Sequence, residues 1–65
     1  MKYKDMIIAL RNKLIITQEE LAQMLGVSYV SVNRWENGHH EPTIKVKRKI
    51  KTLFEEAGMK VEVDE

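Results

Sequence analysis

The 65-residue chain contains no cysteine. Disulfides and thiolate-based zinc sites are therefore excluded as staples, and a reducing, cytoplasmic compartment is the natural reading. It lacks any run of roughly 18 apolar residues, so no apolar helix can span a membrane and no membrane partner is expected. The apolar stretch nearest the N-terminus, Met6 to Leu10, is too short for a signal-peptide core. A methionine at residue 1 argues against truncation at that end. The chain has one proline and three glycines, with aromatic residues at 6%. Gly-rich phosphate loops, nucleophile–base pairs and paired-carboxylate motifs are all missing. The expectation is a protein that is not an enzyme and needs no cofactor. At this length there is room for one core only. A domain of this size buries only about 60% of the surface its unfolded chain exposes, so the core must pack efficiently.

A net charge of +1 taken alone argues against a nucleic-acid partner. The distribution of charge changes that reading. Residues 1–14 carry Lys2, Lys4, Arg11 and Lys13 against Asp5, or +3, and residues 15–42 carry −3. Residues 43–54 hold Lys45, Lys47, Arg48, Lys49 and Lys51 with no acid, or +5, whereas residues 55–65 carry −4. Without the terminal acids Glu62, Asp64 and Glu65, the remainder carries +4. A basic block is either a solvated helix face or a phosphate-facing surface, and composition does not separate the two.

Hydrophobic spacing and capping residues divide the chain into helices. Tyr3, Met6, Ile7, Leu10 and Leu14 recur at three- and four-residue steps, which predicts a helix over about residues 3–13. Thr17 with Glu20 forms a capping box, flanked by a staple between Ile16 and Leu21. A second helix thus starts at Gln18 and ends at Gly26. Ser28 is the next N-cap, with Val27 and Val32 as its staple, and a third helix covers Tyr29 to about Asn37. Gly38 closes it. His39 to Pro42 form a loop, and a last helix starts at Glu41 or Thr43. Its stripe is Val46, Ile50, Leu53, Phe54 and Ala57, with Gly58 as its cap. Residues 59–65 read as a polar acidic tail, in which Val61 and Val63 alternate with charges as in a short strand.

Two short helices joined at a glycine invite comparison with a DNA-binding helix-turn-helix. Such a unit needs a small residue where the helices cross, glycine in the turn and apolar residues at fixed core positions. With Gln18 as position one, the fifth residue is Ala22 and the ninth is Gly26. Leu21, Leu25, Val27, Val32 and Trp35 fill the fourth, eighth, tenth, fifteenth and eighteenth. A larger side chain than Ala22 would push the third helix off the second.

On these residues the stretch LRNKLIITQEELAQMLGVSYVSVNRWENG, Leu10 to Gly38, resembles the Cro/CI-type (XRE-like) helix-turn-helix family of phage and bacterial repressors. Its most specific parts are TQEELAQMLGVS and RWENG, and with the segment after Pro42 the resemblance covers about residues 5–58. It implies an all-α, lambda-repressor-like domain over residues 1–58, with the second helix across the DNA backbone and the third in the major groove. The family usually has five helices. This chain has residues for about four short ones, or five at most, so either the last two are merged or a dimer-forming element is missing.

With Val32 and Trp35 facing inward at 100° per residue, Val30, Asn33, Arg34 and Asn37 point outward. The resemblance marks Ser28, Tyr29, Val30 and Arg34 as base-reading positions, and Asn33 joins them by its direction. Arg34 can bond guanine O6 and N7 together, and Val30 can touch a thymine methyl. Tyr29 is either a sugar or phosphate contact or packing over the helix end. The resemblance gives Gln18 a phosphate, held by backbone N–H groups and braced by the side chain. Thr17, Asn37, His39 and Lys45 are further backbone candidates, as are about half of Lys47, Arg48, Lys49 and Lys51. Arg11 and Glu36 match a family ion pair between the first and third helices, and Trp35, Ala22 and Gly26 are structural.

The expected partner is double-stranded DNA bound by a homodimer on a palindromic site, and the expected role is a transcriptional regulator, a repressor by resemblance. The rival class is a protein-interaction module, an antitoxin or adaptor on the same fold. A metal site at His39-His40-Glu41 is not expected, since three adjacent residues do not converge on one ion.

Overall fold

The computed structural model describes residues 2–59. The strand expected around Val61 and Val63 lies outside the described residues. Among those described there are four helices and no strand: α1 Tyr3–Leu14, α2 Gln18–Leu25, α3 Tyr29–Glu36 and α4 Ile44–Glu56. The final helical region is one uninterrupted helix of 13 residues. Of the two openings for it, Thr43 is the N-cap, because its side chain accepts the Val46 N–H.

Apolar spacing puts one face of every helix into a common core. Met6, Ile7 and Leu10 of α1 meet Leu21 and Leu25 of α2, Val32 of α3, and Ile50 and Phe54 of α4, all fully buried. Ala22 is buried on α2, which packs on α3, and α1 and α4 close the other sides. Trp35 and Val46 are 8% exposed at the margin of this core. Leu14, expected in the α1 stripe, is 37% exposed, since the helix ends there and the chain turns away from the core.

The N-terminal caps follow the sequence. Thr17 Oγ1 accepts the Glu20 N–H at 3.1 Å while Glu20 Oε1 accepts the Thr17 N–H at 2.9 Å. Ser28 Oγ accepts the Ser31 N–H at 3.3 Å.

All four helices close in one way. After a residue with positive φ, the next N–H donates to the carbonyl five positions back: Ile16 to Arg11, Val27 to Ala22, His39 to Arg34 and Met59 to Phe54. Three of the positive-φ positions are the chain's three glycines, and the fourth is Ile15, at φ 55°. A β-branched residue pays a steric penalty there that glycine does not. Ile15 is also 89% exposed, so its side chain recovers almost nothing by burial. Sequence reading, keyed to glycine, passes over it as a simple connector.

Candidate nucleic-acid interface

Helix α3 turns one side to the core through Val32, Trp35 and Glu36 and leaves the other open. Ser28, Tyr29, Val30, Arg34 and Asn37 are exposed on that open side. Tyr29 and Val30 are 47% and 51% exposed, so neither packs as a core residue does.

Behind this face runs a chain of side-chain contacts that the sequence shows only at one end. Arg11 Nε donates to Glu36 Oε2 at 2.7 Å and Arg11 Nη2 to Glu36 Oε1 at 2.8 Å, a bidentate pair between α1 and α3. Arg11 Nη1 also donates to the Ile16 carbonyl at 3.3 Å, tying the α1–α2 turn to the same group. Burial pushes the Glu36 carboxyl up. Hydrogen bonds from Arg11 and Gln18, with the Arg11 charge, outweigh it and hold the group below the usual carboxylate range. The hydrogen bond to Glu36 in turn raises Arg11 above its ordinary value, against a smaller effect of burial. From Gln18 the chain continues outward. Asn33 Nδ2 donates to Gln18 Oε1 at 3.3 Å, and Asn37 Nδ2 donates to Asn33 Oδ1 at 3.1 Å.

This network corrects two expectations. Asn33 does not simply point outward: it is half-buried and its amide is engaged on both sides, because a residue at the edge of α3 meets the first turn of α2. Each of its groups keeps one free hydrogen-bonding position. The Gln18 side chain is likewise engaged within the protein, accepting from Asn33. Thr17 is occupied by its cap.

The basic block of residues 43–54 also divides. Lys47 lies 4.7 Å from the centre of the Tyr3 ring and 3.3 Å from the Glu41 carboxylate. Lys49 Nζ donates to the Leu25 carbonyl at 3.2 Å, placing a cation on the negative end of α2. Both have structural work. Lys45, Arg48 and Lys51 are exposed. A cleft near the α3 C-terminus brings Lys2, Lys4 and His40 together with Asn37 and Trp35. It joins the first basic block to the loop after α3, a juxtaposition whose only sequence signal is the +3 charge of residues 1–14. His39 is exposed in that loop. Among the described residues no helix is long and apolar enough to cross a membrane.

Residues 7–55 match the helix-turn-helix family model of Cro/CI (XRE) type, and the chain belongs to that family. The family is one of DNA-binding helix-turn-helix regulators, not typically enzymes. No curated protein and no solved structure matches the chain.

Proposed function

We propose that the protein is a sequence-specific transcriptional repressor that reads operator DNA by inserting α3 into the major groove. Residues 1–58 are the reading domain and residues 59–65 an acidic tail. The carrying observation is the exposed face of Ser28, Tyr29, Val30 and Arg34, held from behind by the Arg11–Glu36–Gln18–Asn33 contacts. A reading helix must be rigid before contact, since ordering it on the DNA would cost affinity.

In this reading Arg34 makes the bidentate guanine contact and Val30 meets a thymine methyl. Tyr29 and Ser28 act at the groove-entering end of the helix, and Asn33 offers its remaining donor at the edge. Backbone contacts come from the α2 N-terminus at Thr17 and Gln18, from Asn37 and His39, and from Lys45. Two copies bind a palindrome with half-sites about 34 Å apart or a multiple of that.

Selection of bound duplexes from a random pool, followed by titration of the selected site, tests this. Affinity falls steeply as salt rises. Arg34→Ala relaxes preference at one base pair per half-site by about 1–3 kcal/mol. Equal affinity of both proteins for every duplex would sink the direct-readout assignment.

A further inference from the structure

Three bases share one side of α4. Lys45, Arg48 and Lys49 follow one another at three- and four-residue steps, where like charges repel. Lys45 also stands in the first turn, the end of the dipole that disfavours a cation. Among the described residues neither Lys45 nor Arg48 has a carboxylate within ion-pair distance. Lys49 keeps its charge while its Nζ donates to the Leu25 carbonyl. Glu56, one turn beyond Thr52, is the one acid on this side. Glu20, the acid nearest Met24 along α2, has one oxygen on the Thr17 N–H.

These bases border a shallow groove between α4 and α2, lined by Met24, Arg48, Lys49, Thr52 and Leu53. Met24 is 47% exposed there and Leu53 is half-buried. A methionine adapts its shape to whatever covers it. Phosphate contact would account for the bases but not for the apolar floor. An apolar floor with a cationic edge fits a segment in which apolar and acidic residues alternate. The chain carries one. Beyond Met59 the sequence runs Lys60-Val61-Glu62-Val63-Asp64-Glu65. The Gly58 turn brings the Met59 N–H to the Phe54 carbonyl at 3.0 Å, one residue from Leu53 at the near end of the groove. From Phe54 back to Arg48 is about 9 Å of helix. Six residues beyond Met59 reach up to about 20 Å.

We propose that residues 60–65 of the chain itself occupy this groove. Val61 and Val63 cover Met24 and Leu53, and Glu62, Asp64 and Glu65 lie beside Arg48, Lys49 and Lys45. A tethered segment meets its site at about millimolar effective concentration, so a contact of about millimolar intrinsic affinity is enough. The cleft at Lys2, Lys4 and His40 is a poorer host, because it also holds Glu41 and lies toward the start of α4, where Lys47 covers the Tyr3 ring. Seated in the groove, the acids screen Lys45 and Arg48 from DNA, and only a duplex that binds well displaces them. That screening rests on the operator reading above, whereas the docking does not.

The chain has no cysteine, so Glu65→Cys gives the full chain a single attachment point for a nitroxide spin label. At low salt the label weakens the amide signals of Met24, Arg48, Thr52 and Leu53 by about half or more. In about 1 M salt the signals recover, and they recover equally in Arg48→Glu and in Val61→Ser with Val63→Ser. The remaining amide signals report whether each variant is folded, and the valine exchanges leave every residue of the core cluster in place. Signal loss that salt and these exchanges leave unchanged overturns the proposal. So does loss centred on Lys4 and Gly38, or loss reproduced in unlabelled copies mixed with labelled ones, which would put the contact between chains. Neutralising the acids with Glu62→Gln, Asp64→Asn and Glu65→Gln tightens binding to the selected duplex about threefold to tenfold at low salt, and much less at high salt. Equal affinity with and without those acids overturns the screening. A chain that docks these residues but binds no duplex refutes the operator reading and leaves the docking standing.

Discussion

Replacing Ile15 with glycine should make the protein more stable. Ile15 occupies a left-handed conformation with φ and ψ both 55°. For a residue with a β-carbon this costs about 1–2 kcal/mol, and β-branching places it at the upper end. Glycine removes that penalty and returns about 0.5–1 kcal/mol through the greater freedom of the unfolded chain. The side chain is 89% exposed, so its removal gives up almost no buried surface. The net gain is about 1–1.5 kcal/mol. A domain of this size melts roughly 4–8 °C higher per kcal/mol, which predicts a rise of about 4–12 °C. Thermal and urea unfolding followed by circular dichroism measure it directly. The converse exchange serves as control. A β-carbon at Gly26 would meet only Lys49 Nζ at 3.5 Å, an ordinary contact, so Gly26→Ala loses stability through backbone strain alone. An Ile15→Gly protein that melts at or below the wild-type temperature would refute the reasoning. It would mean that the exposed isoleucine makes a contact worth more than its strain.

Further outcomes concern the ion pair and the lysines of α4. Arg11→Met leaves the Glu36 carboxylate, 8% exposed, without its main partner and costs about 3–5 kcal/mol in urea unfolding. Glu36→Gln costs less, because the Arg11 side chain, 23% exposed, can turn to water. The paired Glu36 titrates below its ordinary range, so its contribution is present above the unfolded carboxylate value of about 4.3 and is lost as pH falls through the folded value. The stability gap between wild type and Arg11→Met therefore narrows on acidification, and a gap that widens would contradict the sign. Among the lysines, Lys49→Ala lowers stability by about 0.3–1 kcal/mol through loss of the α2 end contact, without altering the salt dependence of DNA binding. Lys45→Ala does the reverse, reducing the salt slope by about 1 and leaving the melting temperature in place.

Most of the fold was readable because local signals and core spacing agree. Thr17 with Glu20, Ser28 and Gly26 mark their helix ends by side-chain and backbone chemistry that operates within a few residues. The ion pair of Arg11 and Glu36 was accessible only through family resemblance, since 25 positions separate the partners. What stayed hidden depends on neighbours brought from elsewhere in the chain. A helical wheel turns Asn33 outward, and only the approach of the α2 first turn captures it. Lys45 and Lys49 are alike in sequence, and the position of the Leu25 carbonyl alone distinguishes them. Ile15 carries no sequence signal for a different reason. Its conformation is imposed by the helix ending around it, against the residue's own preference.

The brace behind α3 has a consequence for how such a protein changes over time. The groups that fix the helix in place, Glu36, Asn33, Val32 and Trp35, lie on its inner side and edge. Tyr29, Val30 and Arg34 stand on the outer side, and the core does not depend on them. In the proposed reading, folding and recognition are thus written on largely different positions of one eight-residue helix, with Asn33 at the border. Outer residues can be exchanged with little effect on stability, so new binding preferences are reachable by single substitutions that leave a folded protein at every step.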